Sequence, residues 1–175
     1  AGEGRDFTVF VHRYRNVVNK IDRYSKQDHM VTAGKIKSLL DPDENAVANI
    51  DTIGEGAGVY SRCREQELKV RSSKFSKSAK GLKDYSRQRT FANMRAYCYW
   101  AIRDALNPEY DENLALPPDD ELAEELHEIK WNIRSNGDII IEPKEDIKKR
   151  IGRSPDKADG LALSYYPNYG PQIFI

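Results

Sequence analysis

An α/β fold built on a mixed sheet is what this sequence predicts, and three observations predict it. From residue 7 to residue 106, short β-rich runs alternate with runs of helical spacing. A Gly-rich segment, Gly54-Glu-Gly-Ala-Gly58, joins an apolar run to a helical one, as a tight strand-to-helix turn does. A length of 175 residues, 39% hydrophobic and 32% charged, suits a single domain over residues 1–175 with a full core.

The elements follow in order. Residues 7–14 are β-branched and aromatic and read as a strand; a second follows over residues 17–24, joined through Asn16 or Asn19. Residues 27–40 place Met30, Ala33, Ile36, Leu39 and Leu40 at helical spacing, with Pro42 past the end. Residues 47–53 are apolar apart from Asn49 and Asp51 and read as a buried strand with Asp51 near its end. Another strand starts near Leu68, bracketed by Val70 and Phe75. Residues 76–90 form a basic loop. Residues 91–106 form a helix that stops at Asn107-Pro108, and residues 114–118 a linker. Asp119 and Asp120 open an acidic helix to about Ile129, striped by Leu122, Leu126 and Ile129. Ser135-Asn-Gly-Asp138 is a hairpin signal between Ile133 and Ile139. Lys144 opens a short basic helix that Gly152 ends. Ser154 as N-cap and Pro155 at the first helical position then predict a last helix. Trp100 and Trp131, on helical patterns, read as core rather than as base-stacking platforms.

No run of 18 apolar residues occurs, so no membrane partner is expected, and no signal peptide is visible. Cys63 and Cys98 match no metal-site spacing and read as reduced, partly buried thiols. The zero net charge hides a separation. Residues 62–89 hold ten Lys and Arg against three Asp and Glu, a net of +7; residues 104–128 hold ten acids and no Lys or Arg. A basic block in polar sequence suits either a phosphate backbone or a solvated loop. The glycines at 54–58 are followed by no Gly-Lys-Ser/Thr, so they form no phosphate loop, and Gly2-Glu-Gly4 is no dinucleotide fingerprint. His12, His29 and His127 lack zinc-ligand spacing, and there is no Gly-x-Ser-x-Gly elbow.

Acids carry the remaining chemistry. Asp156 and Asp159, three apart, lie on one face of the last helix, with Leu161 and Leu163 behind them. Two readings stand for the pair. First-turn acids complement the helix dipole; converging carboxylates are also hard oxygen ligands for a divalent ion. Asp51, at the end of a buried strand, is costly unless paired or metal-bound. Sites in α/β sheets form at strand ends, so Asp51, Asp156 and Asp159 are the candidate catalytic and metal-ligating residues, for Mg²⁺ or Mn²⁺.

Three segments carry a family resemblance: Ala1-Gly-Glu-Gly-Arg-Asp-Phe-Thr, Ile50-Asp-Thr-Ile-Gly-Glu-Gly-Ala-Gly58 and Glu142-Pro-Lys-Glu-Asp-Ile-Lys-Lys-Arg-Ile-Gly-Arg-Ser-Pro-Asp-Lys-Ala-Asp-Gly-Leu-Ala-Leu163, with Phe91-Ala-Asn-Met-Arg95 a weaker fourth. In this order they resemble the C-terminal nuclease domain of the large terminase subunit of tailed bacteriophages. The resemblance implies a ribonuclease H-like fold, a mixed central sheet flanked by helices. It implies a two-metal endonuclease that cuts double-stranded viral DNA concatemers during packaging, in the cytoplasm of the infected bacterium. Asp51 matches the second family acid, Asp159 the acid on the last helix, and Asp156 a neighbouring ligand position. Lys144, Lys148, Lys149, Arg150 and Arg153 would border the DNA groove, with Lys77, Lys80 and Lys83 of the basic loop as further DNA contacts.

The family's first acid, on its first strand, comes two residues before the Ala-Gly pair and would fall ahead of Ala1. The first strand is therefore expected to be truncated here, with Asp6 the nearest acid. The packaging ATPase domain, the partner in the full-length protein together with the small terminase subunit and the portal, is likewise absent from this sequence. A non-catalytic DNA-binding or assembly module with a degenerate nuclease fold is the second reading, and a Holliday-junction or transposase-type enzyme on the same fold a third.

Overall fold

The computed structural model describes residues 7–25 and 28–167; Asp6 and the first resembling segment as far as residue 6 lie outside them. β1 (Phe7–Tyr14) and β2 (Val17–Ser25) form an antiparallel hairpin in register Phe7↔Ser25 to Tyr14↔Val17, with an irregularity at His12/Arg13. Its tight turn is made at Arg15-Asn16, where Arg15 takes a φ of 52°. The Asn16 amide donates to Glu112 O at 2.7 Å. α1 (His29–Leu40) is capped by Asp28, whose carboxylate accepts from Met30 N.

The strand holding Asp51 is β3 (Ala48–Asp51), shorter than residues 47–53 suggest. It pairs in parallel with β4 (Val70–Ser73), Asp51 opposite Ser73, and α2 (Gly56–Glu65) makes the crossover between them. Parallel neighbours require such a connection. Ala33, Ile36, Ile50, Val59, Cys63 and Val70 fill a small core between these elements.

α3 (Met94–Ala105) starts three residues later than its apolar pattern. Asn93 caps it by accepting from Ala96 N at 3.0 Å, and Phe91 instead bridges to Ile139. The chain then reaches α4 (Asp120–Glu128), the hairpin β5 (Trp131–Ile133) and β6 (Ile139–Ile141), α5 (Lys144–Ile151) and α6 (Asp156–Ser164). Gly152 ends α5 in the left-handed conformation, φ 75°, where a Cβ would be strained. Met94, Trp100, Leu122, Ile139 and Leu161 anchor the larger core, joined by Cys98. Both cysteines are free and buried.

Four expectations need correction. Among the described residues the strands hydrogen-bond as three two-stranded ladders, not as one continuous central sheet. Single bridges tie the ladders to connecting segments: Val17 to Ala115, and Phe91 to Ile139. The linker at 114–118 therefore acts as an edge, donating Ala115 N–H to Asn16 O and accepting from Val18 N. Trp131 lies on a strand rather than a helix and is 45% exposed, one edge against the buried Trp100 ring at 5.1 Å. The N-cap position of α6 is held by Pro155, not Ser154, and no side chain of the segment itself caps the helix. Finally, the basic loop is anchored rather than freely solvated. Ala79 is buried, Lys77 O accepts from Met94 N at 2.8 Å, and the buried Asp104 accepts from Tyr85 N at 3.0 Å.

Candidate metal and active site

α6 lies directly on β1 because residue 160 is glycine. A Cβ there would stand 3.1 Å from the side chains of Val9 and Val11. A second glycine sets Asp51: a Cβ on Gly56 would fall 1.7 Å from the Asp51 carbonyl oxygen, so only glycine lets α2 start this close to the end of β3. With both elements so placed, Asp51, Asp156 and Asp159 line one open cleft of about 980 Å³, whose walls include β1 and part of α1. The three acids, 105 or more residues apart for Asp51 and the α6 pair, thus line a single concavity.

Asp159 is the most elaborately held. Its Oδ1 accepts from the Tyr99 hydroxyl at 2.6 Å and lies 3.4 Å from Arg95 Nη2; its Oδ2 is 2.8 Å from Lys144 Nζ. The same ammonium donates to Asp156 Oδ1 at 3.2 Å. Burial works against the Lys144 charge, but Asp159 and Asp156 outweigh it and hold the ammonium above its usual range. Tyr99 is pushed well above the usual phenol range, by burial first and then by the Asp159 charge. It therefore stays a donor to Asp159. Asp51 accepts from Ile53 N at 3.1 Å. Its carboxyl is raised, by burial first; the Ile53 amide opposes this, the Asp159 charge adds to it, and Lys144 offsets part.

These residues suit a divalent cation in donor chemistry. They are carboxylates only, arranged around a positive group that is already there. Among the described residues, however, no three His, Cys, Asp or Glu side chains are grouped closely enough to hold one ion by themselves. Mg²⁺ does not need such a cage, since it keeps several waters and binds through one or two carboxylates.

The basic residues divide. Lys144 points into the acid pair instead of standing outside it. Arg150 is held by Glu128 at 2.7 Å and by Glu142, and Arg153 by Glu121 at 3.1 Å and Glu124 at 2.5 Å. Lys148 and Lys149 make loose pairs with Glu145 (3.7 Å) and Asp146 (3.3 Å) on their own helix. Lys77, Lys80 and Lys83 are exposed on the loop. His29 faces Glu55 at 3.1 Å and His12 faces Asp22 at 3.3 Å.

Three residues of the site escaped the sequence reading: Arg95, Tyr99 and Glu125. Arg95 and Tyr99 stand four apart on one helical face, a spacing that core aromatics share. Glu125 falls on the Leu122–Leu126–Ile129 stripe, and an acid on an apolar stripe is a signal that could have been read.

The fold so assembled is that of the nuclease domains of bacteriophage large terminase subunits, a ribonuclease H-like architecture. The nuclease domain of the large terminase subunit gp2 of bacterial virus Sf6 superposes with a TM-score of 0.72 at 24% identity, covering 96% of this chain and 85% of that one. A point mutant of the same domain, with manganese and β-thujaplicinol, gives a TM-score of 0.73 at 23% identity and the same coverage. The large terminase nuclease of thermophilic phage G20c with bound magnesium gives 0.57 at 17% identity, over 94% of this chain and 76% of that one. No protein-family model and no curated protein sequence matches the chain. No helix among the described residues is long and apolar enough to cross a membrane.

Proposed function

We propose that the chain is a Mg²⁺- or Mn²⁺-dependent endodeoxyribonuclease domain that cuts double-stranded viral DNA concatemers during genome packaging. Asp51, Asp156 and Asp159 hold the metal, and two ions serve the complete site. The observation that carries this reading is that Asp51 and the Asp156/Asp159 turn line one cleft, with Lys144 between the α6 acids. The ions would supply an activated water and charge neutralisation at the scissile phosphate. The chain's own residues do the rest. Tyr99 and Arg95 orient Asp159. Lys144 balances the α6 acids and presents a cation to the cleft. Lys77, Lys80, Lys83, Lys148 and Lys149 attract the phosphate backbone, while Arg150 and Arg153 serve chiefly to tie the DNA-facing helices to their neighbours. In the virus the domain works in the bacterial cytoplasm, alongside a packaging ATPase domain, the small terminase subunit and the portal.

The test is cleavage of supercoiled plasmid by a protein carrying this chain. Nicking and linearisation are expected with Mn²⁺ or Mg²⁺ and not with EDTA. Asp51→Asn and Asp159→Asn are each expected to lose at least about 100-fold in rate, as removal of metal-site groups does, with unchanged circular dichroism. A variant that cut like its parent would sink the assignment. A second reading, a non-catalytic DNA-binding module, draws on the absence of any three-ligand cluster among the described residues. It expects DNA binding that ignores metal and no cleavage under any ion.

A further inference from the structure

α6 begins without a cap of its own, since Pro155 contributes no side-chain hydrogen bond. The first-turn amides of a helix need acceptors, and here one comes from another helix. Glu125 of α4, 1% exposed, receives Ala158 N–H on Oε2 at 2.8 Å, and its Oε1 lies 3.7 Å from Arg153 Nε. A carboxylate taken out of water is costly unless it is hydrogen-bonded and paired; both of its partners belong to the segment that starts α6. The neighbouring Lys157 is gripped by Asp119 at 2.7 Å and Glu121 at 2.8 Å. At about 100° per residue, Lys157 and Ala158 occupy the side of the turn opposite Asp156 and Asp159. α4 thus holds the back of the turn whose front carries the cleft acids, while no residue of α4 lines the cleft.

We propose that Glu125 is a positioning residue: by accepting from Ala158 N–H it sets the start and rotation of α6, and so the placement of Asp156 and Asp159. The proposal rests on the reading of those two acids as metal-holding groups. It also gives the acidic helix its role, which is to organise the site from behind rather than to meet DNA.

The experiment uses the full chain with Glu125→Ala, Glu125→Gln and Leu122→Ala, all below the melting temperature of every variant. Leu122→Ala empties a buried position of the same helix while removing no atom of the Glu125–Ala158 hydrogen bond, so it serves as the control for lost stability. Two quantities are read: Mn²⁺ affinity by calorimetry, and, in metal-free protein, the ¹³C shifts of the Asp156 and Asp159 carboxyl carbons. Glu125→Ala is expected to weaken Mn²⁺ by about 10-fold, the scale of lost outer contacts at metal sites, and to displace both carboxyl shifts. Glu125→Gln, whose amide oxygen still accepts, is expected to recover both, and Leu122→Ala to keep both. Parent-like values in Glu125→Ala, equal losses in Leu122→Ala, or no recovery in Glu125→Gln each overturn the proposal. If the parent takes up no Mn²⁺, the metal reading of the acids falls. The carboxyl shifts then decide Glu125 by the same comparisons.

Discussion

At the scale of single residues, the site is defined by how each carboxylate is partnered. Among the described residues, Asp159 has three donors around it, Asp156 one ammonium, and Asp51 a single backbone amide. Removing the Tyr99 hydroxyl leaves Asp159 short of a buried donor, so Tyr99→Phe is expected to destabilise the domain by about 1–2 kcal/mol. It should also lower cleavage more than it changes DNA binding; denaturant melts and a split of kcat against KM check both. Glu125 makes a pH prediction. Burial pushes its carboxyl up to about 7, with the Ala158 amide and Arg153 opposing and Glu121 and Asp156 adding. The folded state therefore keeps a proton that the unfolded chain releases. The stability from this group is complete below its ordinary value of 4.5 and is lost as pH rises through about 7. Glu125→Gln should accordingly shrink the fall in Tm between about pH 5 and pH 8 relative to the parent, measured by scanning calorimetry.

At the scale of elements, two close approaches bring distant acids together. Gly56 lets α2 begin against the Asp51 carbonyl, and Gly160 lets α6 lie on β1. Gly56→Ala would have to move backbone, so it is expected to cost about 1–3 kcal/mol, as overpacking does, and to displace Asp51. Urea melts and Mn²⁺ titration read the two effects separately. Much of this level was legible in the sequence. The strands, the helices, the hairpin at Asn136-Gly137 and the strand-to-helix turn at 54–58 carry local signals of period, capping and turn chemistry. Ser154 misled because a cap motif states only what a side chain can do locally. Here a carboxylate 33 residues away does that work, at 2.8 Å from Ala158 N. Trp131 misled because an aromatic residue in a short run fits a helix stripe and a strand equally well.

For the whole molecule, charge is organised in two opposite ways. Four acids of α4, Glu121, Glu124, Glu125 and Glu128, pair internally, with Arg23, Arg153, Lys157 and Arg150. The lysines at 77, 80 and 83 are left on the surface. If that loop meets the phosphate backbone, neutralising Lys77, Lys80 and Lys83 together should reduce the slope of log K against log salt by about 2–3. A filter-binding series over salt concentration measures this, and an unchanged slope would place the DNA elsewhere.

By itself the sequence determined the α/β class and the order of its elements, and it singled out three acids as candidates. Periodicity, turn residues and the cost of an unpaired carboxylate are properties of short stretches of chain. Only the tertiary structure decided that Asp51 and the α6 acids share one cleft, that Lys144 sits between Asp156 and Asp159, and that Arg95, Tyr99 and Glu125 hold them there. Those facts depend on contacts between residues tens of positions apart, set by packing at Gly56 and Gly160 and by buried hydrogen bonds. No local pattern records which distant partner a donor or an acid will meet.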